Sequence, residues 1–406
     1  MLNWRRSLRT LWFTQFIAVG GFSFVTPFLP FYIQDMGVTD VRAVALWTGM
    51  ASSACSVALA LMAPVWGSLS DRYGRKVMVL RATLLGAFVL ALQGLAVTPQ
   101  QLVALRFLQG VFTGTIAAST TLVASIVPED SRGASLGSLQ AAVYLGTTLG
   151  PLLGGLSGAA FGYRRSFFIT AGLLLLSGIL VALFVEEGPI PAPDAGRRRL
   201  GGPRQVLTLL MASGGALLAM LLVRLLLRAG QLVPTAVMAL FVQSLAPAGL
   251  SAAVLTGLVS GAAALGGAIG APAIGGLGDR RGYRRVLLVS ALLLAASFIP
   301  QALAPSVIWL IVWQFVAGVG EGGALAATLA ILARLSRGGR QGTVFGLDAS
   351  AAGAASAVGP IIGAASAAAF GLRAPFVLAT LILGAGVLVI AARVPPDAPR
   401  AAEAAA

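Results

Sequence analysis

Apolar positions along this 406-residue chain gather into twelve runs, each near the roughly 20 residues that a helix needs to cross a bilayer. The runs predict helices over 8–32, 44–67, 77–97, 101–126, 134–160, 166–185, 215–243, 250–276, 284–304, 306–332, 342–368 and 374–392. Polar residues fill the short gaps, and two of those gaps are nearly alike. "GSLSDRYGRK" (67–76) and "GGLGDRRGYR" (275–284) share the pattern G-x-L-x-D-R-x-G. It aligns Gly67, Leu69, Asp71, Arg72 and Gly74 with Gly275, Leu277, Asp279, Arg280 and Gly282.

The same spacing relates "RFLQGVFTG" (106–114) to "QFVAGVGEG" (314–322), and Gly150-Pro151 to Gly359-Pro360 with one residue inserted. A duplication on this scale predicts two homologous six-helix halves in parallel orientation. The expected division is a half at 1–185, a linker at 186–206 rich in Pro and Arg, a second half at 207–392, and a disordered tail at 393–406.

Composition changes the picture by naming the solvent. Apolar residues make up 58% of the chain and charged residues 10%, against about 25% charged in a soluble domain. Lipid must surround most of the molecule, so the fold class is an all-α integral membrane protein. The net charge of +15 does not mark a nucleic-acid surface, because the cations sit in the gaps between runs. Of 28 basic residues, 21 fall on one face of the predicted topology, among them Arg72, Arg75, Lys76, Arg132, Arg280 and Arg334. The positive-inside rule puts that face, and both termini, in the cytoplasm. The Ala, Gly and Arg bias points to a bacterial inner membrane as the address.

The single cysteine, Cys55, excludes an internal disulfide, and the absence of histidine excludes zinc motifs and His-based triads. There is no phosphate-binding P-loop. These absences predict no metal, no cofactor and no enzymatic activity.

Four stretches carry a family resemblance: "TPFLPFYIQDMG", "GSLSDRYGRK", "LVALRFLQG" and "GTTLGPLLGG". They are similar to motifs of major facilitator superfamily transporters of the twelve-span drug:H+ antiporter group, in its MdtG-like multidrug efflux branch. The resemblance covers nearly the whole chain and implies the major facilitator fold. It implies a cytoplasmic gate in which Asp71 accepts from the amides that start span 11, with Gly67 and Gly74 permitting close approach. Arg72, Arg75 and Arg132 would bridge to Asp71, Glu129 and Asp130, and Asp279 and Arg280 would repeat the arrangement. Lys76 and Arg81 are read as topology charges only. Gly146, Gly150, Pro151, Gly154 and Gly155 fill the antiporter pattern, and Gly-Pro kinks span 5 for tight packing, in the family against span 8.

Charges inside the spans are the functional candidates, because each is costly unless paired or wetted. Arg106 matches an arginine to which the family ascribes proton transfer; the alternative is a buried arginine bonding backbone carbonyls. Glu321 lies at a depth like that of Arg224 and Arg228 in neighbouring lining helices, so it is expected to pair with one of them. Asp348 would join from behind, and pairing with Glu321 alone leaves a positive charge over. The pair reads either as proton-sensitive or as a static brace. Asp35, at the outer end of span 1, completes the proton-coupling candidates. Polar cavity residues are expected at Gln15, Gln109, Gln231 and Gln314, beside Arg224, Arg228, Phe16 and Phe112, with an apolar, promiscuous remainder.

The expected function is proton-coupled export of amphipathic small molecules by alternating access, by a monomer whose partners are its substrate, protons and lipid. The alternatives are a transporter of one defined metabolite, anionic or otherwise, and a lipid scramblase or non-transporting receptor.

Overall fold

The computed structural model describes residues 4–187, 215–336 and 341–394; the side chains of Asp71, Glu129, Gly133, Gly275, Asp279 and residues 341–343 are outside that description. Most of the expected linker, nearly all of the tail, and Arg337 and Arg340 also lie outside the described residues.

All regular structure among the described residues is helical. The first region holds α1 (Trp4–Phe24), α2 (Leu29–Asp35), α3 (Val41–Tyr73), α4 (Arg75–Gly94), α5 (Pro99–Phe112), α6 (Thr115–Ile126), α7 (Glu129–Phe161) and α8 (Tyr163–Phe184). The second holds α9 (Ala216–Leu232), α10 (Met238–Leu245), α11 (Ala252–Arg281), α12 (Tyr283–Ala302), α13 (Val307–Leu335), α14 (Gln341–Phe370) and α15 (Ala374–Arg393).

Among the described residues, eleven helical stretches are long and apolar enough to cross a membrane. The expected fifth span, 134–160, lies in α7, a 33-residue helix diluted by Gly, Ser and Thr that is not among the eleven. Large apolar side chains face outward, with Ile308 74% and Phe370 84% exposed, as lipid contact requires.

Two expected single helices are broken at matching points. Pro27 and Pro234 each open a short 3-10 turn, Thr26–Phe28 and Val233–Ala236, that divides α1 from α2 and α9 from α10. Proline removes a donor and redirects the helix.

A third break, between α5 and α6, falls where Gly114 takes φ +118°. Trp66 Nε1 donates to the freed Val111 carbonyl at 2.7 Å, and Arg81 Nη2 to that of Thr113 at 3.2 Å. Arg81 also lies 3.7 Å above the Trp66 ring, so it holds a helix end in addition to any topological role. The repeat partners of this pair are Ile274 and Val289, which have no donor to offer, and α13 runs through unbroken.

The sequence repeat reappears as repeated contacts. Gly110 lies on the Cys55 carbonyl, and Gly318 lies on that of Ala263, the position 208 residues beyond Cys55. Likewise Gly154 lies on the Phe24 carbonyl and Gly363 on that of Val233.

One apolar core is built only from 217–394 and another only from 11–185. A third joins both regions at one end of the molecule, combining Phe28, Tyr32 and Phe167 with Val237, Leu240 and Ala367. At that end Gln34 and Gln243 donate to each other's amide oxygens, at 3.1 and 3.4 Å.

The opposite end, which carries the two charged hairpins, is splayed. Gly155 and Gly257 touch the facing helix of the α7–α11 pair, yet nothing lies within 4 Å of where a Cβ would sit on Gly137, about five turns along the same face. Gly49 of α3 meets Ala364 of α14, whereas Gly67 and Gly346 meet nothing. The close approach expected of Gly67 is therefore not made, because α3 and α14 diverge before reaching it.

Candidate functional site

The splayed end leads to a cavity of about 760 Å³ between the two regions. The second region supplies most of its wall: Arg224, Arg228 and Gln231 from α9, Thr256 and Ser260 from α11, Phe298 from α12, Gln314 and Glu321 from α13, and Ser356 from α14. The first region adds Thr26 and Pro27 from the helix break, Ile116 from α6, and Gln140, Val143, Tyr144 and Thr147 from α7.

Both arginines of α9 have carboxylate neighbours. Arg228 Nη1 donates to Glu321 Oε1 at 3.2 Å, with each side chain a little over one-third exposed. The same nitrogen lies 3.3 Å from Gln231 Oε1, which steadies the guanidinium. Arg224 Nε lies 3.1 Å from Asp348 Oδ1, an ionic contact without the alignment of a hydrogen bond. The positive charge expected to be left over is thus matched. Asp348 meets Arg224 one helical turn from the Arg228–Glu321 pair, and the four charges sum to zero. Among the described residues, Glu321 is the one carboxylate on the cavity wall, since Asp348 stands behind Arg224 and is buried.

The remaining candidates are dispersed. Arg106 is buried away from the cavity wall; its Nη1 donates to Gln109 Oε1 at 3.3 Å, while its Nε has no hydrogen-bond partner among the described residues. Gln93 Nε2 shares that acceptor at 2.9 Å; in the second region Gln314, the repeat counterpart of Arg106, donates its Nε2 to Oε1 of Gln301, the counterpart of Gln93, at 3.0 Å. Gln15 is buried and Phe16 stacks on Trp12, neither of them at the cavity. Phe112 ends α5, outside the wall, and Asp35 ends α2 exposed.

Of the gate candidates, the side chains of Asp71, Glu129 and Asp279 lie outside the described residues. Arg72 lies over the ring of Tyr73, and Asp130 and Arg280 are exposed. Gly74 is the cap between α3 and α4. The amides of Arg75 and Lys76, at the start of α4, donate to the Glu187 carboxylate at 2.8 and 2.9 Å. Arg132 has interactions within the fold.

Within the glycine pattern, Gly146, Gly150 and Gly154 pack on α1, at Gly20, Ser23 and Phe24. Gly155 alone of the four glycines turns to α11, on Ala253, and the Pro151 carbonyl faces Gly257. The packing expected against span 8 is therefore shared with α1, because the five positions wrap around more than one face of α7.

On α7 the cavity residues that escaped the sequence reading are Gln140, Tyr144 and Thr147. Their spacing of four and three inside an apolar run is the signature of a polar stripe on one helix face. Thr256 and Ser260 repeat that signature in α11.

The Major Facilitator Superfamily model matches residues 11–255 and 232–406. The chain is 32% identical over 382 residues to the multidrug resistance protein MdtG of Salmonella arizonae and of Salmonella typhimurium, covering 92% of each chain. Among solved structures, a mutant form of the nucleoside transporter NupG superposes with a TM-score of 0.81 at 14% identity, covering 97% of this chain and 100% of that one. A bacterial homologue of the human lysosomal transporter Spinster, inward-facing and unoccupied, gives 0.78 at 17% identity, covering 95% and 96%. At these identities the two structures speak for the fold alone. Apolar helices around a central cavity, together with a family match over nearly the whole sequence, make this multi-pass membrane protein a transporter, not an enzyme, and a member of the Major Facilitator Superfamily.

Proposed function

We propose that the protein is a proton-coupled antiporter that exports amphipathic small molecules from a bacterial cell by alternating access. The observation that carries this reading is the cavity, whose largely apolar wall holds a guanidinium–carboxylate pair at Arg228 and Glu321. An apolar wall with few directional groups suits varied substrates. A carboxylate there offers a site that a proton and a substrate can contest. The likeness to multidrug resistance proteins supports the same reading.

On this reading α7 is a twelfth span, both termini are cytoplasmic, and the halves at 1–185 and 207–392 rock about the cavity, joined by the linker at 186–206. The protein works as a monomer in the inner membrane. The hairpin end then faces the cytoplasm, and the conformation described is open inward. Asp71, Arg72, Arg75, Glu129, Asp130, Arg132, Asp279 and Arg280 form the gate that closes it, and Arg106, Asp348 and Asp35 are secondary proton candidates. The pairing of Arg224 with Asp348 removes the surplus positive charge that favoured a dedicated anion carrier.

Purified protein in proteoliposomes, given an imposed pH gradient and cationic, neutral and anionic fluorophores, tests the proposal. Several dyes moving against the proton gradient is the expected result. Movement of one solute alone, or none that responds to the gradient, overturns it.

The outer closure gives a separate expectation. The mutual Gln34–Gln243 bond ties the two halves together, and a hydrogen bond of this kind contributes about 0.5–1.5 kcal/mol net. Gln34→Ala should therefore raise the outward-open population by roughly 2- to 10-fold. A cysteine at Thr235 in a Cys55→Ser background, reacting with an impermeant maleimide from outside, reports it; an unchanged labelling rate shows that the pair holds nothing.

A further inference from the structure

We infer that the preferred ligand of the cavity is a close-set zwitterion, one whose ammonium and carboxylate are only a few atoms apart on an amphipathic body. The inference rests on the cavity being the transport site, and it names the substrate class.

Three charges line the wall, Arg224, Arg228 and Glu321, and the two that are most open to it are already partners. Arg228 Nη1 and Glu321 Oε1 are 3.2 Å apart, and both side chains are open to the cavity for a little over one-third of their surface. Beside them Arg224, also on the wall, is compensated by the buried Asp348 behind it, so the cluster carries no net charge with which to attract an ion of either sign. Gln231 lies within hydrogen-bond distance of Arg228 and keeps the guanidinium facing the cavity.

The wall pair makes different demands on different ligands. A cation that binds Glu321 must displace Arg228 and leave a guanidinium without its carboxylate in a partly dry site. An anion on Arg228 strands Glu321 in the same way. Breaking one side of such a pair costs far more than the pair contributes. A zwitterion avoids both losses, because its carboxylate meets Arg228 while its ammonium meets Glu321. Two ion pairs then replace one, and no charge is stranded. The short Arg228–Glu321 separation also sets the spacing of the ligand, since groups far apart on a chain cannot reach both partners at once. Pro27, Leu232, Met238 and Phe298 supply apolar surface for the rest of the ligand.

The test measures equilibrium binding to the full-length protein in lipid nanodiscs, with no gradient, so that it stands apart from proton coupling. The probes are 2-naphthylalanine (zwitterion), its ethyl ester (cation), its N-acetyl derivative (anion) and its N-acetyl ethyl ester (neutral). The zwitterion should bind at least about tenfold more tightly than each of the other three, a smaller effect than stranding a fully buried charge because the pair is partly exposed. Arg228→Gln should move the preference to the cation and Glu321→Gln to the anion. The double exchange Arg228→Glu/Glu321→Arg keeps a pair on the wall and should keep the zwitterion first, which guards against single variants that fail to fold. Equal binding of the four probes, or a zwitterion preference that survives either single substitution, overturns the inference. Gradient-driven transport with no zwitterion preference would leave the proposed function standing and this inference refuted.

Discussion

Glu321→Gln is expected to lower pH-gradient-driven flux by about tenfold or more while leaving gradient-free exchange of a neutral dye intact. The amide has nearly the shape of the acid and still accepts from Arg228, so packing between α9 and α13 is conserved. What it loses is the exchangeable proton and the negative charge. Among the described residues no other carboxylate faces the cavity, so no neighbour can take over both tasks. The effect follows from losing a step, since a carrier whose site cannot exchange a proton cannot draw on the gradient. Asp348→Asn provides the contrast. Asp348 is buried against Arg224, behind the wall, and removing one partner of a buried pair destabilises by roughly 3–5 kcal/mol. That variant should show a lowered unfolding temperature before it shows altered coupling. Gradient-driven flux that persists in Glu321→Gln would make the residue a brace for Arg228 and move the search for the proton site to Asp348 and Asp35.

The neighbouring glycines of α7 should fail in different ways when enlarged. A side chain on Gly154 runs into the Phe24 carbonyl, within the packing of α1 on α7. One residue on, a side chain on Gly155 runs into the Ala253 carbonyl of α11, across the junction of the two regions. Backbone oxygens cannot rotate away, so each Val substitution forces helices apart at a cost of about 1–3 kcal/mol or more. Gly154→Val should therefore lower the unfolding temperature of the protein in detergent and its yield. Gly155→Val should leave the unfolding temperature much closer to wild type, open the outer end to impermeant thiol reagents at a Thr235 cysteine, and collapse net transport. The two effects are separable by measuring unfolding and labelling on the same preparations. If both variants lose thermal stability alike and neither changes labelling, the two glycines share one structural role.

The sequence determined what depends on neighbours along the chain. Runs of apolar residues specify helices in lipid, because only a helix satisfies its own backbone there. The repeat was legible from Gly110 and Gly318, and the tertiary contacts of these residues with Cys55 and Ala263 repeat as well. Depth was legible too. Glu321 was matched to Arg224 and Arg228 by counting residues at 1.5 Å each, and it does meet Arg228.

What the sequence could not determine was rotation. Each step along a helix turns a side chain by about 100°, so small differences in how a helix sits decide which charges meet. That is why Asp348, expected as an accessory, is the partner of Arg224, and why Gly155 leaves α1 for α11 while Gly154 does not. The same angular sensitivity kept Gln15, Phe16, Gln109 and Phe112 off the cavity wall and put Gln140, Tyr144 and Thr147 on it. Nor does depth settle closure: Gly67 and Gly346 meet nothing here while the Gln34–Gln243 end is shut, a choice made by how long helices tilt against one another. Local hydrophobicity is enough to specify helices and their order, but partners on different helices are fixed only when rotation, tilt and packing are fixed together.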